Sequence, residues 1–389
     1  MKVVLVAVVL LLVVIVAGIL AYRFAVRDDN QNQAVMAQEE PTPESGAVPE
    51  VEVGGEKLVL VPSSQSDARV DEAGLGFKGS EDVRHLLSPP AKTEVAKGSN
   101  SDSAYRPDDA IDWVVDVEFD GSPILQRKTI LEVFDIQWME ANGKPEIYGW
   151  SPEDNHWTFL RAARVPETYT KLALGWSLFD PIDQASFDTT AEELSARKVS
   201  VSKAAEKLGV AKMRWNRSAK EAVEVADSIN GAVANCNRDV LVVLAAPHER
   251  TYAGREIWDV MLCLGLRWGD MDLFHWENTD GSLGDDFLFS VWTSTSPGYF
   301  LPEEIAAGRV RVENLVFGYS IPRSADPKSV FESMMKAVQY AQERLGGEIH
   351  DAQGQPLDEA AIMQEIEGIV EKLNEVGFTP GEDSTLRVF

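Results

Sequence analysis

Cysteine is nearly missing from this chain: 389 residues carry two, Cys236 and Cys263. Two cysteines so placed make no disulfide framework and lack the paired spacing of a zinc site, which fits a reducing compartment. Histidine is scarce as well, with five residues, His85, His156, His248, His275 and His350. None sits in an HExxH helix or beside a G-x-S-x-G turn, and no phosphate-cradling glycine loop is present. Cations are outnumbered, 36 Lys and Arg against 63 Asp and Glu, a formal net charge of -27. Binding to nucleic acid needs clustered Lys and Arg, and so does adhesion to anionic lipid through a basic face. Neither is expected. With so many carboxylates, acidic pairs arise by chance, and "GSLGDD" has the wrong ligand spacing for a calcium loop. No metal, no cofactor and no catalytic constellation is expected, which disfavours an enzyme.

What is present begins with "VVLVAVVLLLVVIVAGILA", residues 3–21, free of charge. About 19 residues at ~1.5 Å each span ~29 Å, the hydrocarbon thickness of a bilayer. A signal peptide would have a shorter apolar core, roughly 7–15 residues, and a small-residue cleavage site. Residues 1–27 are therefore expected to form a single transmembrane anchor. Lys2 before the run and Arg23 and Arg27 after it place the body in the cytoplasm by the positive-inside rule. There the "NRS" at Asn216 would go unglycosylated.

Residues 28–104 read as an acidic, disordered linker, rich in Gln, Pro, Glu and Ser with Phe77 as its aromatic, and with "KLVLV" as a short docking strand. From there the pattern turns globular. "AIDWVVDVEF" predicts a strand, and "SPILQRKTILEVFDIQWM" a helix capped by Ser122 with a stripe of Ile124, Ile130, Leu131 and Phe134. "SAKEAVEVADSINGAVANCN" predicts a helix ending at Asn230-Gly231. A similar order returns from 239. "DVLVVLAA", "DMDLFHW", "DFLFSVW" and "ENLVFGYSI" read as strands, and "GREIWDVMLCLG" and "DPKSVFESMMKAVQYAQERLGG" as helices. "EIYGWSPEDNHWTFL" parallels "DLFHWENTDG…DFLF", and "KEAVEVADSINGAVANC" parallels "KSVFESMMKAVQYAQERLGGEIHD". The expected fold class is α+β, an antiparallel sheet with helices on one face, in two tandem copies at 105–238 and 239–389. The first copy is read as divergent, with an insertion around 180–215.

The stretch "GLRWGDMDLFHWENTDGS", residues 265–282, is apolar on both faces of its expected strand. Met271, Leu273 and His275 alternate against Asp270, Asp272, Phe274 and Trp276. A sheet with one solvated face should be polar there. Leu241, Val243 and Ala245 are assigned to the helix side, Val240, Val242 and Leu244 to the other. In the next strand Phe289 and Val291 go to the helices, and Leu288, Ser290, Trp292, Ser294 and Ser296 face away. Such an outward stripe is either covered by the second copy or the linker, or it is a groove for a peptide or helix.

The residues "GLRWGDMDLFHWENTDGS…FLFSVWTSTSPGYFLPEEI" followed by "LGGEIHDAQGQPL" closely resemble the C-terminal domain of the ZipA family of bacterial cell division proteins, over about residues 239–376. The anchor and acidic linker repeat that family's layout. The resemblance implies a split β-α-β fold and a sheet face that binds the acidic C-terminal peptide of FtsZ, tying the Z-ring to the inner membrane at the division site. By position, Val240, Asp270, Met271, Leu273, Trp292, Ser294, Ser296 and Gly318 would line that groove, with Val242 from the same stripe. The family typically has Met where Ser294 stands, Lys at Ser296, Phe at Gly318, and a small residue where Trp292 stands. The alternative is a tandem peptide-binding scaffold of the division apparatus or envelope that keeps the fold and takes another partner, other divisome proteins included.

Overall fold

The computed structural model describes residues 50–53, 56–59, 65–90, 106–179, 189–209, 211–279 and 284–389. The apolar run 3–21 lies outside them, and among the described residues no helix is long and apolar enough to cross a membrane. Of the expected docking strand at 57–61, residues 57–59 fall in the strand Glu56–Val59, which pairs with Glu50–Val53 in a small hairpin, and 60–61 lie outside the described residues.

The chain divides into two units, and neither is a continuous stretch. Of the described residues, those up to 90 go with 238–370, and those from 106 to 237 go with 371–389. Both expected boundaries therefore need correction. Residues 65–90 are not linker but part of the unit carrying residues 239–367, and residues 371–389 belong with the upstream unit.

In the upstream unit a five-stranded antiparallel sheet runs in the order His156–Phe159, Glu146–Ser151, Lys171–Ser177, Asp112–Phe119, Ala211–Trp215. Alternation sorts the strand Asp112–Phe119. Trp113, Val115 and Val117 are fully buried on one face, where Trp113 meets Trp215 at 4.3 Å and Trp176 at 5.2 Å. Lys198, from the helix Ala191–Ala205, lies 4.9 Å over the Trp215 ring, so the helices cover this face. Capping boxes start both long helices, Thr190 with Glu193 and Ser218 with Glu221. The second, Ala219–Cys236, runs straight through Asn230-Gly231, where a stop was expected. Its buried stripe Ala222, Ala226, Ile229 and Ala232 continues past that point, and packing outweighs the local signal. The single helix expected from Ser122 is also broken. Ser122 sits at φ 45, Ile124 is exposed, and the helices are Arg127–Val133 and Ile136–Ala141. Asp135 accepts the Trp138 N–H at 2.7 Å and starts the second one.

In the other unit six antiparallel strands run in the order Arg267–Trp268, Phe274–Glu277, Phe287–Trp292, Asn314–Ser320, Asp239–Ala245, Glu348–Asp351. The helix Pro327–Leu345 lays Val330, Met334, Val338 and Ala341, all fully buried, against this sheet. Beside it the helix Gly254–Cys263 buries Ile257, Trp258 and Met261, with Trp258 edge-on to Phe274 at 5.2 Å.

Residues 65–90 strap this unit. They bury Val70, Leu75 and Leu87. Arg69 pairs with Asp272 at 2.6 Å and Glu303 at 3.0 Å and lies 5.0 Å over the Trp268 ring. Trp258 Nε1 donates to the Gly76 carbonyl at 3.0 Å, and Ser80 donates through both N–H and hydroxyl to Asp259 at 2.6 and 2.7 Å. Gly79 passes so close to Cys263 that a Cβ there would lie 2.4 Å from its backbone nitrogen.

The two sheets share a register. Asp112 pairs with Ser177 and Val114 with Gly175; Asp239 pairs with Ser320 and Leu241 with Gly318. Just outside each ladder, Leu178 N–H donates to the Ile111 carbonyl and Ile321 N–H to that of Arg238, both at 3.0 Å. "IDWV…LGWSL" in one unit thus stands where "RDVL…FGYSI" stands in the other. The outer strands differ. Glu146–Ser151 takes the place beside Lys171–Ser177 that Phe287–Trp292, not Phe274–Glu277, takes beside Asn314–Ser320. The stretch read as an insertion holds the helix Ala191–Ala205 and the edge strand Ala211–Trp215, which stand between and after these strands as Pro327–Leu345 and Glu348–Asp351 do. The helix Ala219–Cys236 comes after them, so its pairing with Pro327–Leu345 was one element out of step.

Candidate functional site: the open face of the six-stranded sheet

The face away from the helices is apolar at its centre. Leu273, Trp292 and Val316 form a buried cluster, with Leu241, Val243 and Met271 partly buried around it. Directly opposed residues place them on one side: Val243 with Val316, and Val316 with Trp292. The phase expected for Asp239–Ala245 is therefore reversed. Val240, Val242 and Leu244 are buried under the helices, and Leu241 and Val243 face out. Val240 and Val242 leave the candidate groove, and Leu241, Val243 and Val316 enter it.

Met271 and Asp272 form a tight turn with φ of 55 and 60, so the strand expected across 270–276 begins only at Phe274. That turn carries Met271 onto the cluster. Arg69 from the strap holds its Asp272, whose carbonyl accepts the Phe300 N–H at 2.9 Å. Asp270 is exposed at the rim, and its carbonyl lies 2.8 Å from His275 Nε2. His275 Nδ1 lies 2.8 Å from Ser290 Oγ, and its ring stacks on Phe287 at 3.9 Å, so this buried histidine is part of the sheet's packing.

Gly318 lies beneath Trp292. A Cβ on Gly318 would come within 2.7 Å of both Leu241 Cδ2 and Trp292 Cη2. The space the resemblance assigns to a phenylalanine at Gly318 is filled from the neighbouring strand by Trp292. The indole Nε1 is buried without a hydrogen-bond partner. Ser294 lies past the strand's end, its N–H donating to Asn314 Oδ1 at 2.9 Å, and Ser296 is exposed in the following turn. Neither belongs to the apolar cluster.

Asp239, Asp285 and Arg323 stand at the groove's end, the last two paired at 3.0 Å. Asp239 lines the same depression as Leu241, Leu273, Trp292, Gly318 and Arg323. Burial pushes its carboxyl up to about 6, against the pull of the Ser320 hydroxyl and the Arg323 charge. An unfolded Asp titrates near 4. Below that both states hold the proton, and Asp239's contribution to stability is complete. From pH 4 to 6 the unfolded chain loses the proton first and stability falls; above 6 the contribution is gone. Asp239→Asn is therefore expected to stabilise the protein at pH 7.5 by on the order of 2 kcal/mol and to be neutral at pH 3.5. Denaturant unfolding at the two pH values checks this, and equal effects at both would be inconsistent with it.

Among the described residues no group of three or more His, Cys, Asp or Glu side chains is placed to hold a metal ion.

The architecture defines a class: an α+β domain with helices on one face of an antiparallel sheet and, on the other, an apolar stripe that is buried at its centre and partly exposed at Leu241, Val243 and Met271. Within that class, residues 239–367 match the family model of the ZipA C-terminal, FtsZ-binding domain. The Cell division protein ZipA of Shewanella loihica is 30% identical over 115 residues, 29% of this chain and 33% of that protein. That of Ectopseudomonas mendocina is 31% identical over 134 residues, 34% of this chain and 48% of that protein. For Pseudomonas aeruginosa the match is 32% over 116 residues, 30% of this chain and 39% of that protein. The chain thus spans about a third to a half of the length of these curated relatives.

Proposed function

We propose that this protein is a non-enzymatic cell division adaptor whose open face docks the C-terminal peptide of FtsZ. The apolar cluster of Leu241, Met271, Leu273, Trp292 and Val316 carries this reading, because an apolar stripe that crosses neighbouring strands and stays partly exposed at Leu241, Val243 and Met271 is what an extended or helical peptide covers. Trp292 adds to it. An unpaired buried donor costs about 1–3 kcal/mol, and a ligand that let the ring turn and pair would recover part of that. The apolar run 3–21 would anchor the protein in the inner membrane with the body cytoplasmic, and residues 28–64 would separate anchor from body. The shared register of the two sheets supports reading the upstream unit as a divergent copy of the family domain.

Calorimetric titration of the full chain in detergent with the FtsZ C-terminal peptide tests the proposal. A Kd on the order of 1–50 μM is expected, weak for one site and sufficient for many tails on one filament. No heat at about millimolar peptide would move the function to another partner, the scaffold reading that the changes at Ser294, Ser296 and Gly318 favour.

A further inference from the structure

The upstream sheet has an outer face too, and it is not empty. Asp112, Val114 and Asp116 alternate away from the tryptophan cluster, and Gly175, Ser177, Glu146 and Tyr148 lie opposite them on neighbouring strands. By register Asp112 stands where Asp239 stands at the groove's end in the other domain, and Gly175 where Gly318 stands. Tyr148 opposes Ala173 as Trp292 opposes Val316, an aromatic side chain at the same place.

At this end sits a segment from the other end of the sequence. Arg387, in the short helix Asp383–Val388, donates through both terminal nitrogens to the Asp112 carboxylate, at 3.1 and 3.2 Å. The Asp112 side chain is 3% exposed and also accepts the Asp108 N–H at 2.7 Å. Phe378, Thr385, Val388 and Phe389 are buried, with the two phenylalanine rings edge to face at 6.0 Å. Thr385 ties the segment to itself by donating to the Thr379 carbonyl at 2.6 Å. Residues 374–377, leading into it, are exposed. A short segment that buries Phe378, Val388 and Phe389, keeps Glu382 and Asp383 at the start of its helix and offers Arg387 to a buried carboxylate, reached through an exposed connection, has the form of a bound peptide.

We propose that the outer face of the upstream sheet around Asp112 and Glu146, beside the place where Pro107 packs on Gly175, is a peptide-docking site, and that residues 378–389 of this chain are its ligand in cis. The chemistry it selects is a basic residue set among apolar ones, with Asp112 reading the base. Burial alone pushes the Asp112 carboxyl up, and Arg387 opposes that shift, so the two depend on each other. The proposal stands independently of the FtsZ reading.

The test uses the whole chain with a protease site placed in residues 374–377, cut after folding. The probe is a fluorescent synthetic peptide of residues 378–389, read by anisotropy. The cut protein is expected to exchange its own segment for the probe and bind it saturably. The uncut protein should bind at least about tenfold more weakly, because the tethered segment competes at high effective concentration. The cut Asp112→Asn variant should also lose at least about tenfold in affinity. Equal binding by cut and uncut protein would overturn the proposal. So would a cut protein that never exchanges, or one whose strands Asp112–Phe119 and Lys171–Ser177 lose hydrogen-exchange protection once the segment leaves. Either of those last two results would make residues 378–389 part of the core.

Discussion

The full chain carrying Met271→Glu should lose affinity for the FtsZ C-terminal peptide by at least about a hundredfold while keeping its thermal midpoint. Met271 is half-buried at the edge of the Leu273–Trp292–Val316 cluster. A carboxylate there would be desolvated by any peptide that covers the face, a cost of several kcal/mol without a partner. The peptide implied by the family resemblance is itself acidic, which adds repulsion. Stability should change little because Met271 sits on a turn at φ 55, outside any strand, with solvent on one side. Binding within about threefold of the parent would remove the open face from the account.

The second large effect concerns stability. Gly79→Val should lower the midpoint of the unit carrying residues 239–367 by about 5–10 °C. A Cβ on Gly79 would lie 2.4 Å from the Cys263 backbone nitrogen and 2.5 Å from its Sγ, and the helix carrying Cys263 cannot retreat cheaply because its Trp258 and Met261 are packed under the sheet. Displacing the strap would expose Val70, Leu75 and Leu87 and release Arg69 from Asp272. Burial of those three side chains alone is worth several kcal/mol before the entropy of ordering the strap is counted. Arg69 also braces the turn that carries Met271, so the same variant should weaken peptide binding severalfold. Calorimetry with peptide titration checks both, and a variant as stable as its parent would show the strap to be ornamental to the fold.

The sheet's open face was partly legible in the sequence. Met271, Leu273 and Trp292 stand out as apolar residues at alternate positions where a solvated face should be polar. The strand Asp239–Ala245 misled because residues 240–246 are all apolar, so alternation carries no phase there. Asp239 held the answer: the one polar residue of that strand faces the groove with Leu241 and Val243, not the helices. The strap was illegible for a different reason. Its three anchors, Val70, Leu75 and Leu87, follow no helical or strand period, and glycine, serine and acidic residues surround them. Its order comes from long-range ion pairs and backbone contacts that composition does not encode. The return of residues 371–389 to the upstream unit likewise leaves no local trace, since a helical stripe runs unbroken through Ile366, Ile369 and Leu373 across the change of unit. The shared register did have a signal, "LGWSL" against "FGYSI", but it is five residues long and hidden by the different order of the outer strands.

The most direct test of the central claim is a methyl-labelled NMR titration of the full chain with the FtsZ C-terminal peptide, read at methionine. Met271 lies on the open face, whereas Met261, Met334 and Met335 are buried beneath the helices. A saturable shift is expected at the Met271 methyl, with the other three nearly still. Shifts at Met261, Met334 or Met335 with none at Met271 would place the peptide on the helical side and contradict it.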